Sequence, residues 1–154
     1  MLLRSNNYKL ICFDDIVKKL FVKVYNENDD FLLSIRETQT VYDEMHSVAK
    51  SFLQKGENVV LESMYFEKHR QQAIEVAKKL NVEYKIIEII CEEKTIKERL
   101  KIRHKNNPQS PGFELYQKYK KFFLTKHRDH VIIDTSNKTP EETYIEFVAQ
   151  LKFI

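Results

Sequence analysis

The sequence predicts an α/β fold in which a largely parallel sheet is flanked by helices. Apolar segments of strand length alternate with segments whose apolar residues recur at the helical period. The strand segments are apolar nearly throughout, which is typical of parallel strands buried on both faces. A chain of 154 residues can bury one sizeable core, and we interpret it as a single domain over residues 1–154.

The first half of the chain predicts two strands and two helices in alternation. "YKLICF" at residues 8–13 predicts a strand, and residues 14–25 place their apolar side chains on one helical face. A longer helix is predicted over 37–56, with Gly56 placed to end it. The following stretch, "ENVVLESMYF" at 57–66, predicts a buried strand that ends in an acid and a hydroxyl.

The second half continues the alternation. In chain order we predict a helix over 67–81, a strand over 84–90, a highly charged helix over 92–105, a helix over 113–126 and a strand over 130–136. Two prolines and a glycine predict a loop between the two central helices. Thr139, Pro140 and Glu142 form a capping box with proline at the first helical position, which predicts the start of the last helix.

Composition and charge exclude several classes of protein. Lysine and arginine number 26 against 23 acids, and the resulting net charge of +3 is too small to argue for nucleic-acid binding. Cys12 and Cys91 are far apart and lack neighbouring histidines, so neither a zinc site nor a disulfide framework is predicted. No apolar run is long enough for a signal peptide or a membrane span, so we expect a cytoplasmic protein with no membrane partner.

Polar side chains follow four of the predicted strands. These pairs are Asp14 and Asp15, Glu62 and Ser63, Cys91 and Glu92, and Asp134 and Thr135. The carboxyl ends of parallel strands meet at one edge of a sheet, where ligands of open α/β folds bind. Each acid alone could equally cap the next helix, but four such pairs together favour a ligand site.

The order of these segments resembles the small P-loop kinases, a group that includes predicted ATP-binding, zeta-toxin-like and gluconate kinases. "GENVVLES" at 56–63 resembles the strand that ends in an acid, and "KERLKIR" at 97–103 resembles the helix bordering a mobile lid, here about 99–125. "VIIDTSNKTPEET" and "YKLICFDDIVKKL" are similar to the last and second strands of that family. The resemblance covers nearly the whole chain and implies a three-layer P-loop fold.

The resemblance implies ATP-dependent phosphoryl transfer to a hydroxyl of a small molecule or a nucleic acid. Asp14 would orient or deprotonate the acceptor, and Glu62 would hold the Mg²⁺ shell, usually through water. Glu62 stands where the family usually has aspartate. Val17, followed by Lys18, stands where the family often has an arginine, so the resemblance does not extend to that substrate contact.

Two further pairs of residues have roles by resemblance. Arg99 and Arg103 are four residues apart, so they share a helical face, and they would clamp the transferring oxygens. The alternative for this pair is a solvated charged helix. Asp134 and Thr135 would lie where the adenine of the nucleotide is contacted.

The phosphate-cradling loop G-x-x-x-x-G-K-[ST] does not occur in the sequence, whose two glycines are Gly56 and Gly112. The resemblance places that loop immediately ahead of the segment "MLLRSNNYKLICFDD". We therefore expect Met1 to be an internal methionine, the first strand and phosphate loop to be absent, and ATP binding to be impaired. The absent strand would be central, so its neighbours would pair directly, or with another chain or a second copy of this one.

Two other functions remain open at this point. The chain could be a catalytically inactive interaction or regulatory module. It could also be an RNA-binding protein that uses "KERLKIRHK" and the aromatic-basic "YQKYKKFF", although core packing is the favoured interpretation of those aromatic residues. None of the five histidines is assigned a role, and each is expected to be a surface or hydrogen-bonded residue.

Overall fold

A computed structural model describes residues 8–21, 33–107, 110, 112–120 and 130–151. The elements in these ranges are β1 (Tyr8–Cys12), α1 (Phe13–Leu20), α2 (Ile35–Leu53), β2 (Asn58–Glu62), α3 (Glu67–Leu80), β3 (Ile87–Ile90), α4 (Glu93–Asn106), α5 (Phe113–Lys120), β4 (Val131–Asp134) and α6 (Pro140–Leu151). The alternation of strands and helices confirms the predicted α/β fold.

The four described strands pair in twos, and both pairs are parallel, as predicted. β1 pairs with β2 so that Cys12 lies opposite Glu62, and β3 pairs with β4 so that Ile90 lies opposite Asp134. Within the described ranges each sheet has two strands, so β2 and β3 are not paired with each other. The resemblance places the absent first strand between β2 and β3, and direct pairing of these two strands is one of the expected alternatives; it is not observed in the described ranges.

The chain divides into two compact units, Met1–Val82 and Glu83–Ile154. The single domain over 1–154 therefore stays a prediction. The predicted lid at about 99–125 also stays a prediction, because residues 108, 109, 111 and 121–129 lie outside the described residues. Val24 and Phe122, which the helical period predicts on inward faces, also lie outside the described residues.

The core of the first unit lies where α1 and α2 cover the β1–β2 sheet. Val41, Tyr42 and Met45 are at most 1% exposed and follow the helical period of α2. The helical period of residues 37–56 predicts Val41, Val48 and Phe52 on the inward face; Val41 is fully buried, whereas Val48 and Phe52 are partly buried against the same cluster. α3 packs on α2 through a face that contains Ile74 and Ala77.

The ends of the helices follow from capping chemistry. α2 begins two residues before the predicted start, because Ser34 and Glu37 form a capping box: the amide of Glu37 donates to Ser34 Oγ at 3.2 Å, and the amide of Ser34 donates to Glu37 Oε2 at 2.8 Å. Gly56 has a φ of +75°, which confirms the predicted turn after this helix. Asp14 and Asp15 lie in the first turn of α1, after the N-cap Cys12. Their negative charges there interact favourably with the positive end of the helix dipole.

The second unit has a thinner core. Of its described apolar residues, Ile133 on β4 is the one that is fully buried, while α4 and α5 have no buried residue. The predicted capping box of α6 is confirmed, since the amide of Thr139 donates to Glu142 Oε2 and the amide of Glu142 donates to Thr139 Oγ1. None of the described helices is both long enough and apolar enough to span a membrane.

Candidate functional site

Two predicted site residues, Asp14 and Glu62, lie at the carboxyl ends of the neighbouring strands β1 and β2 in the first unit. The parallel register places Glu62, the last residue of β2, opposite Cys12, the last residue of β1. Asp14 comes two residues after Cys12, in the first turn of α1, and both carboxylates are exposed. The fold thus delivers two acids to the carboxyl edge of one sheet, as the sequence predicted.

The thiol of Cys12 orients the carboxylate of Glu62. Cys12 Sγ donates a hydrogen bond of 2.7 Å to Glu62 Oε2. Burial, and then this hydrogen bond to a carboxylate, raise the pKa of the Cys12 thiol to about 11. The thiol is therefore protonated at neutral pH and acts as a hydrogen-bond donor.

The exposed carboxylate of Glu62 is a suitable oxygen ligand for the coordination shell of a magnesium ion. Mg²⁺ prefers hard oxygen ligands and is usually bound through one or two carboxylates, with water and substrate phosphates completing the shell. Glu62 supplies an exposed carboxylate, and the hydroxyl of Ser63 follows it directly. In the described ranges no group of three or more His, Cys, Asp or Glu side chains could hold a metal ion by itself. Glu62 would therefore bind the ion together with water and phosphate oxygens.

Tyr42 anchors the chain directly after Glu62. Its hydroxyl donates to the carbonyl of Met64 at 2.7 Å and shares a hydrogen bond of 2.9 Å with Ser63 Oγ. Burial raises the pKa of Tyr42 to about 12, so the hydroxyl keeps its proton. Sequence reasoning missed this residue. The available signal was a tyrosine on the buried face of α2, since a buried tyrosine hydroxyl usually finds a partner.

Two histidines are buried beside Tyr42. The ring of His69 stacks on Tyr42 with centroids 3.9 Å apart, and His46 Nε2 lies 3.4 Å from the hydroxyl of Tyr65. Burial lowers the pKa of both imidazoles. The Nδ1 atom of His69 is buried and has no hydrogen-bond partner among the described residues. His69 is therefore a buried residue whose Nδ1 is not hydrogen-bonded within the described residues, rather than a surface histidine.

Asp134 and Thr135 lie at the carboxyl end of β4 in the second unit. Asp134 Oδ1 accepts hydrogen bonds from the hydroxyl of Ser136 at 2.5 Å and from its amide at 2.8 Å. These two bonds, the hydroxyl first, lower the pKa of the exposed Asp134 carboxyl. Ser136 Oγ in turn accepts from the amide of Glu92, which follows β3. The ends of β3 and β4 are thus tied by one hydrogen-bonded network.

Arg99 contacts this network, whereas Arg103 does not. Arg99 donates from Nη1 to Thr135 Oγ1 at 3.0 Å and from Nη2 to the carbonyl of Thr135 at 2.6 Å. Arg103 lies one turn further along α4 and is exposed. The second unit therefore brings Arg99, Asp134 and Thr135 together, as the first unit brings Asp14 and Glu62 to one edge.

The sequence profile of the family described as AAA domain matches residues 1–123. The search of curated proteins found no match to the chain.

Three solved structures share the fold. A protein from Chloroflexus aurantiacus, provisionally described as a kinase, is 15% identical with a TM-score of 0.69, covering 97% of this chain and 84% of that one. The Mycobacterium tuberculosis APS kinase in complex with AMPPNP and APS is 14% identical with a TM-score of 0.63, covering 98% and 84%. A Deinococcus radiodurans tunicamycin resistance protein is 12% identical with a TM-score of 0.56, covering 96% and 84%.

Proposed function

This chain belongs to the AAA domain family and has the fold of the small P-loop kinases, and from this premise we propose that it is an ATP-binding, kinase-like phosphotransferase. The acceptor would be a hydroxyl of a small molecule or of a nucleic acid. One observation carries the proposal. At the carboxyl edge of the parallel pair β1–β2, Glu62 is the last residue of β2 and Asp14 follows the end of β1 by two residues, and both acids are exposed.

The two acids have different proposed roles. Phosphoryl transfer requires an oriented acceptor hydroxyl and neutralisation of charge on the transferring phosphate. Asp14 would accept a hydrogen bond from the acceptor hydroxyl and take its proton. Glu62, held by the thiol of Cys12 at 2.7 Å, would orient the shell of a magnesium ion, which supplies charge neutralisation when bound.

The second unit has a proposed role at the nucleotide base. Asp134 is an exposed, ionised acceptor at the end of β4, and Thr135 is buried next to it. The turn that follows β4 would contact the adenine, and Arg103 on α4 would contact phosphate oxygens. The Mycobacterium tuberculosis APS kinase, which shares the fold, was solved in complex with the nucleotide AMPPNP, and this likeness supports a nucleotide as the ligand.

The strength of ATP binding is a separate part of the proposal. Backbone amides of a G-x-x-x-x-G-K-[ST] loop normally cradle the phosphates, and the lysine reaches the β and γ positions. The 154 residues contain no such loop. For these residues alone we propose that Mg-ATP binds weakly and that phosphoryl transfer is slow.

Isothermal titration calorimetry of the 154-residue chain with Mg-ATP and with metal-free ATP tests this function. Glu62→Gln should weaken binding of Mg-ATP about tenfold, because a charge-assisted contact to the metal shell is lost, and should leave metal-free ATP unchanged. Glu57→Gln is a matched control, because Glu57 precedes the same strand at its opposite end and pairs with Lys9. Equal binding of Mg-ATP by the wild type and both variants would contradict the role of Glu62.

A transfer assay with ATP labelled at the γ-phosphate tests the role of Asp14. Small polyols and an oligonucleotide with a free 5′-hydroxyl serve as acceptors. Asp14→Asn should lower transfer at least about a hundredfold, the usual contribution of a general base. Asp15→Asn is the control, because Asp15 lies in the same helical turn and contacts Lys18. Equal losses in the two variants would argue against a specific role for Asp14.

The exposure of α4 supports RNA binding as a second candidate. None of its residues is buried, and its exposed basic residues are Lys94, Lys97, Arg99, Lys101, Arg103, His104 and Lys105. The rings of Phe113 and Tyr116 stack beside it at 5.5 Å, and the Lys97 ammonium lies 5.4 Å from the Phe113 ring. Phosphate-binding cations next to aromatic rings are typical of single-strand binding surfaces.

Fluorescence anisotropy with single-stranded RNA at several salt concentrations tests this alternative. Binding by α4 should weaken steeply as salt rises, because released counterions drive it. Lys101→Glu should reduce both the affinity and the dependence on salt. Lys78→Glu on α3 is the control, because it changes the net charge by the same amount in the first unit. Equal effects of both variants would indicate non-specific attraction.

A further inference from the structure

The two arginines of α4 have different surroundings, although their spacing places them on one helical face. The guanidinium of Arg99 donates to Thr135 Oγ1 at 3.0 Å and to the Thr135 carbonyl at 2.6 Å, and it lies 3.4 Å from the Lys138 carbonyl. The acceptors are the first and last residues of the turn between β4 and α6. Arg99 thus spans this turn, which we call the β4–α6 turn and define as Thr135–Lys138.

Thr135 is the point where this turn is fixed to the sheet. It is 8% exposed, its amide donates to the Ile90 carbonyl at 2.9 Å, and its hydroxyl donates to the same carbonyl at 3.1 Å. The hydroxyl also accepts from Arg99, and the Thr135 carbonyl accepts from Arg99 and from the amide of Lys138. The polar groups of Thr135 are occupied by these bonds, so Thr135 is better suited to hold the turn than to contact a ligand.

The planar shape of the Arg99 guanidinium matters in its contact with Thr135. Two nitrogens of a planar guanidinium reach two separate acceptors on one residue, which a lysine ammonium on a flexible stem does not reproduce. Hydrogen bonds from a charged donor are also stronger than neutral ones. Arg99 is consequently committed to the turn, and its two terminal nitrogens are not free to clamp phosphate oxygens.

We propose that Arg99 is a positioning residue that holds the β4–α6 turn in the conformation that receives the nucleotide base, whereas Arg103 is the arginine that meets phosphate oxygens. This inference rests on the proposed function, because it assigns the base to that turn. The resemblance assigns the clamping of phosphate oxygens to Arg99 and Arg103 together, whereas this inference assigns it to Arg103 alone. Both arginines are exposed, so their contacts distinguish them: the side chain of Arg103, in the last turn of α4, forms no hydrogen bond or ion pair with any described residue and therefore suits the phosphate role.

Separate titrations with adenosine and with inorganic tripolyphosphate test the division. Binding to the full 154-residue chain is followed by NMR chemical shifts. Arg99→Lys should weaken adenosine binding about tenfold, as expected for the loss of a charge-assisted hydrogen bond, and leave tripolyphosphate binding unchanged. Arg103→Lys on the same helix should leave adenosine binding unchanged and weaken tripolyphosphate binding, because an ammonium does not reproduce the two-pronged contact of a guanidinium with phosphate oxygens. Loss of tripolyphosphate binding in Arg99→Lys, equal loss of both ligands, or loss of neither would overturn the proposal.

Amide hydrogen exchange provides a readout that does not depend on nucleotide. Arg99→Lys should speed exchange at the amides of Thr135, Ser136 and Lys138, while Arg103→Lys should not. Thr135→Val removes the hydroxyl but keeps the side-chain volume, and it should reproduce the faster exchange if Arg99→Lys fails to fold. If the wild-type chain binds neither ligand, the proposed function fails, and exchange alone decides whether Arg99 holds the turn. Unchanged exchange in both variants would refute that role.

Discussion

Replacing Tyr42 by phenylalanine is expected to destabilise the first unit by about 2 kcal/mol, within the range of roughly 1–3 kcal/mol for leaving a buried polar group unsatisfied. Tyr42 is 1% exposed, so water cannot readily reach the groups that its hydroxyl contacts. The change removes the donor to the Met64 carbonyl and the partner of Ser63 Oγ. The phenyl ring still fills the space between Phe13, Tyr65 and His69, so no cavity adds to the cost.

Urea unfolding followed by circular dichroism measures this loss. With a slope of about 2 kcal/mol/M, the midpoint should fall by about 1 M without a change in slope. Tyr84→Phe is the control: Tyr84 is 48% exposed, and its replacement should change stability by less than about 0.5 kcal/mol. A Tyr42→Phe loss no larger than that of the control would refute the view that this hydroxyl anchors the chain after Glu62.

The same change should also be coupled to Ser63. A double-mutant cycle with Ser63→Ala isolates the interaction of the two hydroxyls, which are 2.9 Å apart. We expect the two single losses to sum to more than the loss in the double variant, because each removes the same hydrogen bond. Strict additivity would show that the Met64 carbonyl accounts for the whole effect of Tyr42.

Three further predictions concern stability. Burial lowers the pKa of His46 and His69 in the folded state below 6.5, so unfolding takes up protons at these two imidazoles, and urea midpoints should fall as pH drops below about 6.5. His69→Gln should flatten this pH dependence of the midpoint, and an unchanged dependence would contradict the explanation. Gly56→Ala should lower the free energy of unfolding in urea by about 1 kcal/mol, because φ is +75° and a Cβ there meets open space, so the cost comes from the backbone conformation. Gly112→Ala, at a glycine outside that φ region, should leave the free energy of unfolding unchanged, and equal losses in the two variants would refute the backbone explanation. Thr139→Ala should cost about 1 kcal/mol through loss of the N-cap, measured by the same unfolding, and Thr139→Ser should restore most of it.

Local chemistry explains why most elements could be predicted from the sequence. The apolar run of β2 and the acid that ends it lie within one short segment, and the observed strand is Asn58–Glu62. The capping box at Thr139 and the glycine turn after α2 are equally local and are confirmed. The missed start of α2 has the same kind of signal, because Ser34 and Glu37 stand three residues apart in the sequence.

Contacts between distant residues could not be predicted in this way. The spacing of Arg99 and Arg103 shows a shared helical face, but Arg99 meets Thr135, which is 36 residues away in the chain. The hydrogen bond from Cys12 to Glu62 spans 50 residues and depends on the register of β1 and β2. The stacking of Tyr42 and His69 depends in the same way on how α3 packs against α2. A sequence pattern predicts which helix face or sheet edge a residue occupies. The residue that it contacts there depends on tertiary packing.

An NMR titration of the isotopically labelled chain with Mg-ATP tests most directly whether the strand ends bind a nucleotide, since weak binding at millimolar concentrations still moves amide signals. We predict shifts at the amides that follow β1, β2 and β4, namely those of Asp14, Ser63 and Ser136. The shallow groove between α2 and α3, which includes Asp43, Lys50 and Lys79, should not respond. Shifts confined to that groove, or no shifts at all at millimolar Mg-ATP, would show that the polar ends of these strands do not form a nucleotide site.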